Sequence, residues 1–249
     1  MDQVSAPDDI DVNETQLRNS VAICTRTLNH LDILGYSGHV SVQLPDSDHF
    51  LIQAFDQSRS TVAPDDLIVV DAEGEPVRGP EGYHPPNEVF IHTEIYKARA
   101  DVKAVFHFHP DVATLFTLVD GITLKPMKNH AIRWASGIPV HPVPAKIIDP
   151  EMGAALAETL ANHNGALMRA HGAVIVAESI EALMIDAIHF VENAETMYKA
   201  AMLGPVKALS QAEMQEIEAK TSRPNHIAKL WDYYTGNAVA ADVFPTDWL

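Results

Sequence analysis

Apolar residues recur at helical spacing near the start of the chain and again in its second half. The first stretch predicts a helix that begins at Asn13, a suitable cap, and ends near Gly35. Its apolar stripe consists of Leu17, Val21, Cys24, Leu28 and Leu31. The same reasoning predicts further helices over 88–100, 110–118, 150–162, 179–203 and, more briefly, 210–220, with an aromatic tail behind them.

Short apolar runs between these helices predict β-strands. They cover 39–44, 49–54, 66–71, 102–109, 165–170 and 172–177. Turns at Pro45-Asp46 and Pro64-Asp65 separate the first three runs, and 72–77 is predicted to be a tight turn between strands. Helices and strands mix without a strict β-α-β alternation. This favours one α/β domain with a mixed, mainly antiparallel sheet that is covered by helices.

The composition is that of a globular protein, with 47% hydrophobic and 20% charged residues in a chain of 249. Its net charge of −17 disfavours nucleic acids and anionic membrane surfaces as partners. No apolar run is long enough to span a membrane, and the acidic N-terminus is unlike a signal peptide. Cys24 is the only cysteine, so we expect a cytoplasmic protein without a thiolate metal site. The glycine-rich motifs of nucleotide-binding loops do not occur in the sequence either.

Thirteen histidines are many for a chain of this size, and two of them form the clearest chemical motif. His107 and His109 lie two residues apart in the predicted strand over 102–109, so both imidazoles project from one face and can bind one metal ion. Taken alone, such a pair is more often explained by packing or by hydrogen bonding.

Two further positions carry candidate chemistry. His171 precedes Gly172 at the junction of two predicted strands, where its ring can enter a cleft or simply belong to a turn. Glu88 lies at a predicted helix start, where a carboxylate either complements the helix dipole or serves as a metal ligand or proton carrier. His92 is one helical turn later and can orient a ligand or lie on the surface.

The order and spacing of these residues resemble the class II aldolase/adducin family; the motifs are Glu88 with His92, His107-Phe108-His109, and His171-Gly172. The resemblance covers about 13–205. Residues 1–12 lie before the resemblance and are expected to form a polar tail. Residues 206–249 lie after it, and we expect them to form a C-terminal helix and an aromatic tail that pack on the domain or on a neighbouring subunit. The resemblance implies a single-domain, three-layer α/β/α fold, usually assembled as a homotetramer with active sites between subunits. It also implies a divalent metal ion (Zn, Mn, Co or Fe) held by His107, His109, His171 and Glu88, with Glu88 alternatively acting as an acid–base group.

Several departures from the sugar-phosphate members concern the substrate. Those members carry an Asn where this chain has His39, a Thr-x-Thr-Gly phosphate loop where it has 53–60, and a Ser-Ser pair where it has Pro86-Asn87. All three elements donate hydrogen bonds to a phosphate, so a phosphorylated substrate is disfavoured. The tyrosine that the aldolases use as proton donor falls near Lys128, which puts the aldol proton relay in doubt.

Other polar residues are candidates for contacts with an anionic substrate. Arg59 lies in the loop that replaces the phosphate loop, where its guanidinium can bind a carboxylate or face solvent. The other candidate substrate-binding residues are His39, His84, Lys128 and Tyr234. Glu88 and a loop histidine, first of all His130, are the candidates for proton transfer.

These observations favour a metal-dependent carbon–carbon lyase. Its preferred reaction is decarboxylation of a small, non-phosphorylated, hydroxylated and aromatic carboxylic acid through a metal-stabilised, enolate-like intermediate. Retro-aldol cleavage of a hydroxy-keto acid or a sugar is the alternative. A non-catalytic scaffold of the adducin kind is the least favoured hypothesis, because the predicted metal-binding residues are all retained.

Overall fold

The computed structural model describes residues 12–249, and the tail predicted over 1–12 lies outside this range except for Val12. Seven α-helices are present in the described chain: α1 Val12–His30, α2 Phe90–Ala98, α3 Asp111–Leu115, α4 Pro150–Leu160, α5 Ile180–Leu203, α6 Gln211–Ala219 and α7 Arg223–Ala240. Its strands are β1 His39–Gln43, β2 Phe50–Ile52, β3 Ile68–Val70, β4 Pro76–Arg78, β5 Ala104–Phe108, β6 Val140–His141, β7 Gly165–Met168 and β8 Gly172–Ala177.

All eight strands form one sheet in the order β4-β3-β2-β1-β5-β8-β7-β6. Neighbouring strands pair antiparallel, except that β6 and β7 run parallel. The predicted mixed, mainly antiparallel sheet is therefore confirmed. Its central strands, β1, β5 and β8, come from distant parts of the sequence, and they carry the residues discussed below.

Helices cover the sheet on both faces, as a three-layer fold requires. Alternate strand residues point to opposite faces, so Val105 joins the apolar cluster beneath α2 and α4 while Phe106 joins the larger one beneath α1, α3 and α5. The side-chain oxygens of Asp149 and Ser179 cap α4 and α5 by accepting backbone N–H bonds. None of the described helices combines the length and the apolar character that a membrane crossing needs.

Three local predictions differ from the structure. Asn13 lies inside α1 and is not its cap. The turn predicted over 72–77 ends earlier, since Asp71 accepts N–H bonds from Glu73 and Glu75, and the chain then re-enters the sheet as β4. The aromatic tail is largely an 18-residue helix, α7, because Trp231, Tyr234 and their apolar neighbours form a stripe that packs on the core.

Candidate metal centre

His107 lies in the middle of the sheet with its side chain fully buried on the face covered by α2 and α4. Its Nδ1 is 3.0 Å from the carbonyl oxygen of Ala173 on β8. Because a carbonyl only accepts, Nδ1 carries the proton and Nε2 presents a lone pair. That Nε2 is buried and has no hydrogen-bond partner among the described residues. A buried imidazole nitrogen with a free lone pair is suited to bind a metal ion.

Glu88 lies in the turn before α2 and faces this nitrogen. One carboxylate oxygen is 3.5 Å from His107 Nε2, and the other is 3.5 Å from His171 Nε2. The second oxygen also accepts the backbone N–H of Ile147 at 3.1 Å. Burial by itself raises the pKa of the Glu88 carboxyl, but hydrogen bonds and charge from His107 and His171 in their protonated forms, together with the Ile147 N–H, outweigh it and hold this pKa well below its usual range. Glu88 is therefore an anion at neutral pH.

His109 and His171 complete the cluster. The ring of His109 lies 4.8 Å from that of His107 and 5.2 Å from that of His171, measured between centroids. Burial, together with the positive charge that His107 and His171 can carry, lowers the pKa of His109 to about 4, so its imidazole is neutral and able to bind a metal at pH 7. One ligand atom from each of Glu88, His107, His109 and His171 lies within 4.8 Å of the others. This donor set fits a first-row divalent metal ion.

Gly172 allows the two histidine-bearing segments to approach each other. A Cβ at this position would overlap the carbonyl oxygen of Phe108 and would come within 2.8 Å of Cδ2 of His109. The glycine beside His171 is thus required because β5 and β8 pair closely at the point where the metal ligands converge.

We expect Gly172→Ala to lower the affinity of this site for its metal by at least about tenfold, because the new methyl group displaces the His109 ring or separates β5 from β8. Metal affinity is measured by competition with a chelator. Gly236→Ala is the control, since a Cβ there meets nothing within 4 Å. Equal affinities in both variants would contradict this account of Gly172.

A buried chain of hydrogen-bonded side chains supports the cluster from the β1 side. His39 Nδ1 lies 2.6 Å from His92 Nε2, and the hydroxyl of Ser41 is 2.6 Å from His92 Nδ1 and 2.7 Å from the hydroxyl of Tyr96. The His39 ring packs at 5.2 Å from that of His107. Burial, with the nearby His107, lowers the pKa of His92 to about 3. His92 is therefore a neutral imidazole at pH 7 that contacts His39 and Ser41, and its predicted role in orienting a ligand stays a prediction.

The cluster opens into a cavity of about 600 Å³. His39, Arg59, Glu88, His109 and His171 all line it. The other lining residues are Tyr36, Ser37, Phe55, Pro86, Asn87, Pro144, Lys146 and Ala170. The structure thus brings together most of the residues that the sequence suggested for metal and substrate.

Arg59 lines the cavity and also forms hydrogen bonds to three backbone carbonyls. Its Nε donates to the carbonyl of Gly38 at 3.0 Å, and Nη1 donates to the carbonyls of Phe55 and Gln57. The side chain therefore ties the loop over 53–60 to the turn before β1. Arg59 also lines the cavity, so its role in binding a substrate stays a prediction.

Sequence reasoning missed Lys146. It is exposed at the cavity wall, directly before Ile147, whose N–H holds Glu88. Its position depends on the long loop between β6 and α4, and a single lysine between prolines gives no local signal. With Arg59 it places two cationic groups around a site in a strongly acidic chain.

The four remaining candidates lie elsewhere. His84 is exposed, and its own backbone carbonyl accepts the N–H of Phe55. Lys128 and His130 both lie beside Glu192, and Tyr234 is half-buried on α7 against the core. Since these four do not line the described cavity of their own subunit, their roles in binding or catalysis stay predictions.

Comparison with known proteins agrees with the geometry. The family described as Class II Aldolase and Adducin N-terminal domain matches residues 19–198. The chain belongs to this family. It is 27% identical to the 3,4-dihydroxyphthalate decarboxylase of Arthrobacter keyseri, over 80% of this chain and 85% of the relative. It is 25% identical to the 3-oxo-tetronate 4-phosphate decarboxylase of Escherichia coli K12, over 74% and 86%.

A solved structure supports the fold independently. The aldolase II superfamily protein from Pseudomonas syringae superposes with a TM-score of 0.82 at 21% identity, and the match covers 95% of this chain and 97% of that protein. The membership predicted from the histidine and glutamate motifs is thereby confirmed, and so is the three-layer α/β/α class.

Proposed function

We propose that the protein is a metal-dependent decarboxylase of a non-phosphorylated, hydroxylated aromatic carboxylic acid. The observation that carries this proposal is the four-residue ligand cluster at the base of a cavity that Arg59 and Lys146 also line. Support for a carboxy-lyase comes from relatives named as decarboxylases; by its name, the one from Arthrobacter keyseri acts on a dihydroxylated aromatic acid and the one from Escherichia coli K12 acts on a sugar-acid phosphate. A non-catalytic scaffold would not need the four-residue ligand cluster.

His107, His109, His171 and Glu88 would hold the divalent metal ion. When bound there, the ion supplies a Lewis acid for the oxygens of the substrate. Arg59 and Lys146 bind the carboxylate groups of the substrate through charge-assisted hydrogen bonds. Phe55 and Pro86 provide apolar wall for a planar ring.

Decarboxylation breaks the bond between the ring carbon and the carboxyl carbon. CO₂ leaves, the electron pair of the bond stays on the ring carbon, and a proton must then be added to that carbon. Glu88 is the proposed proton-transfer group: its carboxylate, ionised and held in the cavity wall by the Ile147 N–H, would first accept the proton of the substrate hydroxyl and then donate it to the ring carbon, and the phenolate would regain a proton from water.

The loop over 53–60 supports a substrate without a phosphate. The Gln53 amide is bound to Thr25 and to the Gly38 carbonyl, and the Ser58 and Ser60 hydroxyls bind each other at 2.8 Å. The Gln53 amide and one of the two serine hydroxyls therefore donate within the protein, which leaves fewer donors for a phosphate.

The proposal is tested by measuring CO₂ release from a panel of ortho-hydroxylated aromatic acids with metal-reconstituted protein. We expect release with at least one acid and its loss in His109→Ala. His49→Ala is the matched control, because His49 is an exposed histidine beside Asp48. If no acid releases CO₂ while metal is bound, the proposal is wrong, and liberation of an aldehyde or pyruvate from hydroxy-keto acids would then establish retro-aldol cleavage.

We expect Lys146→Gln to raise KM for the acid identified in this way by about tenfold with little change in kcat, because it removes one charge-assisted contact to a carboxylate, worth roughly 1.5 kcal/mol. Steady-state kinetics measure both constants. Lys103→Gln is the control, since Lys103 pairs with Gln43 at an exposed position. An unchanged KM in Lys146→Gln would exclude this lysine from substrate binding.

Assembly into a tetramer with active sites between subunits is part of the proposal. Tyr36, at the cavity, is 97% exposed, and Phe55 beside it is 50% exposed. Large apolar side chains at the mouth of a cavity are typical of surface that a neighbouring subunit covers. The mass in solution, measured by light scattering, tests this assembly.

A further inference from the structure

A second cluster of potential metal ligands lies where the 3₁₀ helix Asn129–Trp134 packs on α5. His189 and Glu192 are three residues apart on α5, so their side chains project from the same face of the helix. His130 approaches them from the 3₁₀ helix. None of these three residues belongs to the cluster around Glu88.

The geometry brings the three side chains within reach of one ion. Nε2 of His130 is 3.5 Å from a carboxylate oxygen of Glu192, and the rings of His130 and His189 stack with centroids 4.0 Å apart. One ligand atom from each residue lies within 4.8 Å of the others. Small changes of side-chain torsion would bring all three to the distances of about 2 Å at which a metal is bound.

Two nitrogen atoms in this region lack the partners that buried polar atoms normally have. Nε2 of His130 and Nε2 of His226 are both buried without a hydrogen bond to any described residue. His226 comes from α7, and its ring lies 5.4 Å from that of His189, measured between centroids. All three histidines line a cavity of about 490 Å³, which gives an ion and its water ligands a path to the cluster.

We propose that His130, His189 and Glu192 bind a divalent transition-metal ion at a second site, distinct from the Glu88 centre. Two imidazoles and a carboxylate form a donor set of the kind that holds Zn²⁺, Co²⁺ or Fe²⁺. The ion would connect the 3₁₀ helix to α5, so its role is structural. Lys128 is the cation now nearest to Glu192, with Nζ at 3.8 Å, and its half-exposed side chain can move into solvent.

The site is tested in a His107→Ala/His109→Ala background, which removes the Glu88 centre and isolates the second site. Titration with Co²⁺ is expected to give one bound equivalent per chain and a visible ligand-field spectrum. Adding Glu192→Gln or His130→Gln should weaken Co²⁺ binding by more than about 100-fold. Loss of a group that only supports a metal ligand through a hydrogen bond lowers metal affinity by about 10- to 100-fold, so a larger loss identifies a direct ligand. Both side chains are partly exposed, so neither change is expected to unfold the protein.

Glu195→Gln in the same background is the matched control, since Glu195 lies one turn further along α5 with similar exposure and pairs with Lys199. If the background variant does not fold, the metal content is measured in the unaltered protein and in its Glu192→Gln variant. We then expect two metal ions per chain in the unaltered protein and one in Glu192→Gln. No Co²⁺ binding in the background, or equal binding in Glu192→Gln and Glu195→Gln, would overturn the proposal. This readout does not depend on the reaction at Glu88, so it stands or falls separately from the proposed decarboxylation.

Discussion

Glu88→Gln is expected to lower kcat/KM for decarboxylation by at least about 10³-fold. The amide keeps the size of the side chain and can still accept the Ile147 N–H, so the turn before α2 stays in place. It loses the negative charge between His107 and His171 and can no longer carry a proton. The measurement is CO₂ release with the acid identified for the unaltered protein, with the metal content determined on the same sample.

Glu94→Gln is the control for this prediction. Glu94 is a largely buried carboxylate on α2, and it pairs with Lys97 at 2.8 Å, away from the ligand cluster. Its replacement should leave CO₂ release within about twofold of the original. A Glu88→Gln protein that retained both its metal and its full activity would show that this carboxylate neither transfers the proton nor is needed at the centre.

Asp186→Asn is expected to lower the free energy of unfolding by about 3–5 kcal/mol, because two partly buried guanidinium groups lose their buried counter-charge and keep only the exposed carboxylate of Glu178. Asp186 lies on α5 with its side chain 4% exposed. It accepts from Nε of Arg133 at 2.8 Å and from both terminal nitrogens of Arg223, at 3.0 and 2.8 Å. Since Arg223 begins α7, the loss also weakens the attachment of that helix. Urea denaturation followed by circular dichroism measures the change.

Glu178→Gln serves as the comparison, because Glu178 pairs with the same two arginines but its side chain is 51% exposed. Exposed ion pairs contribute little, so its replacement should cost no more than about 1 kcal/mol. Similar losses in the two variants would mean that burial of Asp186 does not set the strength of this network.

The local parts of the metal centre followed from the sequence. The two-residue period of a strand predicted that His107 and His109 project from one face, and β5 is observed within the run predicted over 102–109, with His109 directly after its last residue. Glu88 was expected at a helix start, and it does precede α2. Such features depend on neighbours in the chain, which a single sequence displays.

Other features needed contacts between distant segments. Lys146 reaches the cavity only because the loop before α4 folds back to bind Glu88. His189 and His226 carried no signal in the sequence, since one lies in the long helix α5 and the other in α7, which was expected to be a tail. His130 was assigned to proton transfer by its position in the chain, whereas its observed neighbours are His189 and Glu192.

The sequence by itself determined the class of fold, the family and the identity of four metal-binding candidates, because hydrophobic periodicity and motif spacing are local properties of the chain. Only the tertiary structure decided how these side chains meet. The strand order β1-β5-β8 and the close approach permitted by Gly172 bring His107, His109 and His171 to Glu88. The same packing brings Arg59 and Lys146 to the cavity, and it places the histidines of the second cluster beside one another. Contacts between remote segments depend on burial of the whole core, so no single stretch of sequence determines them.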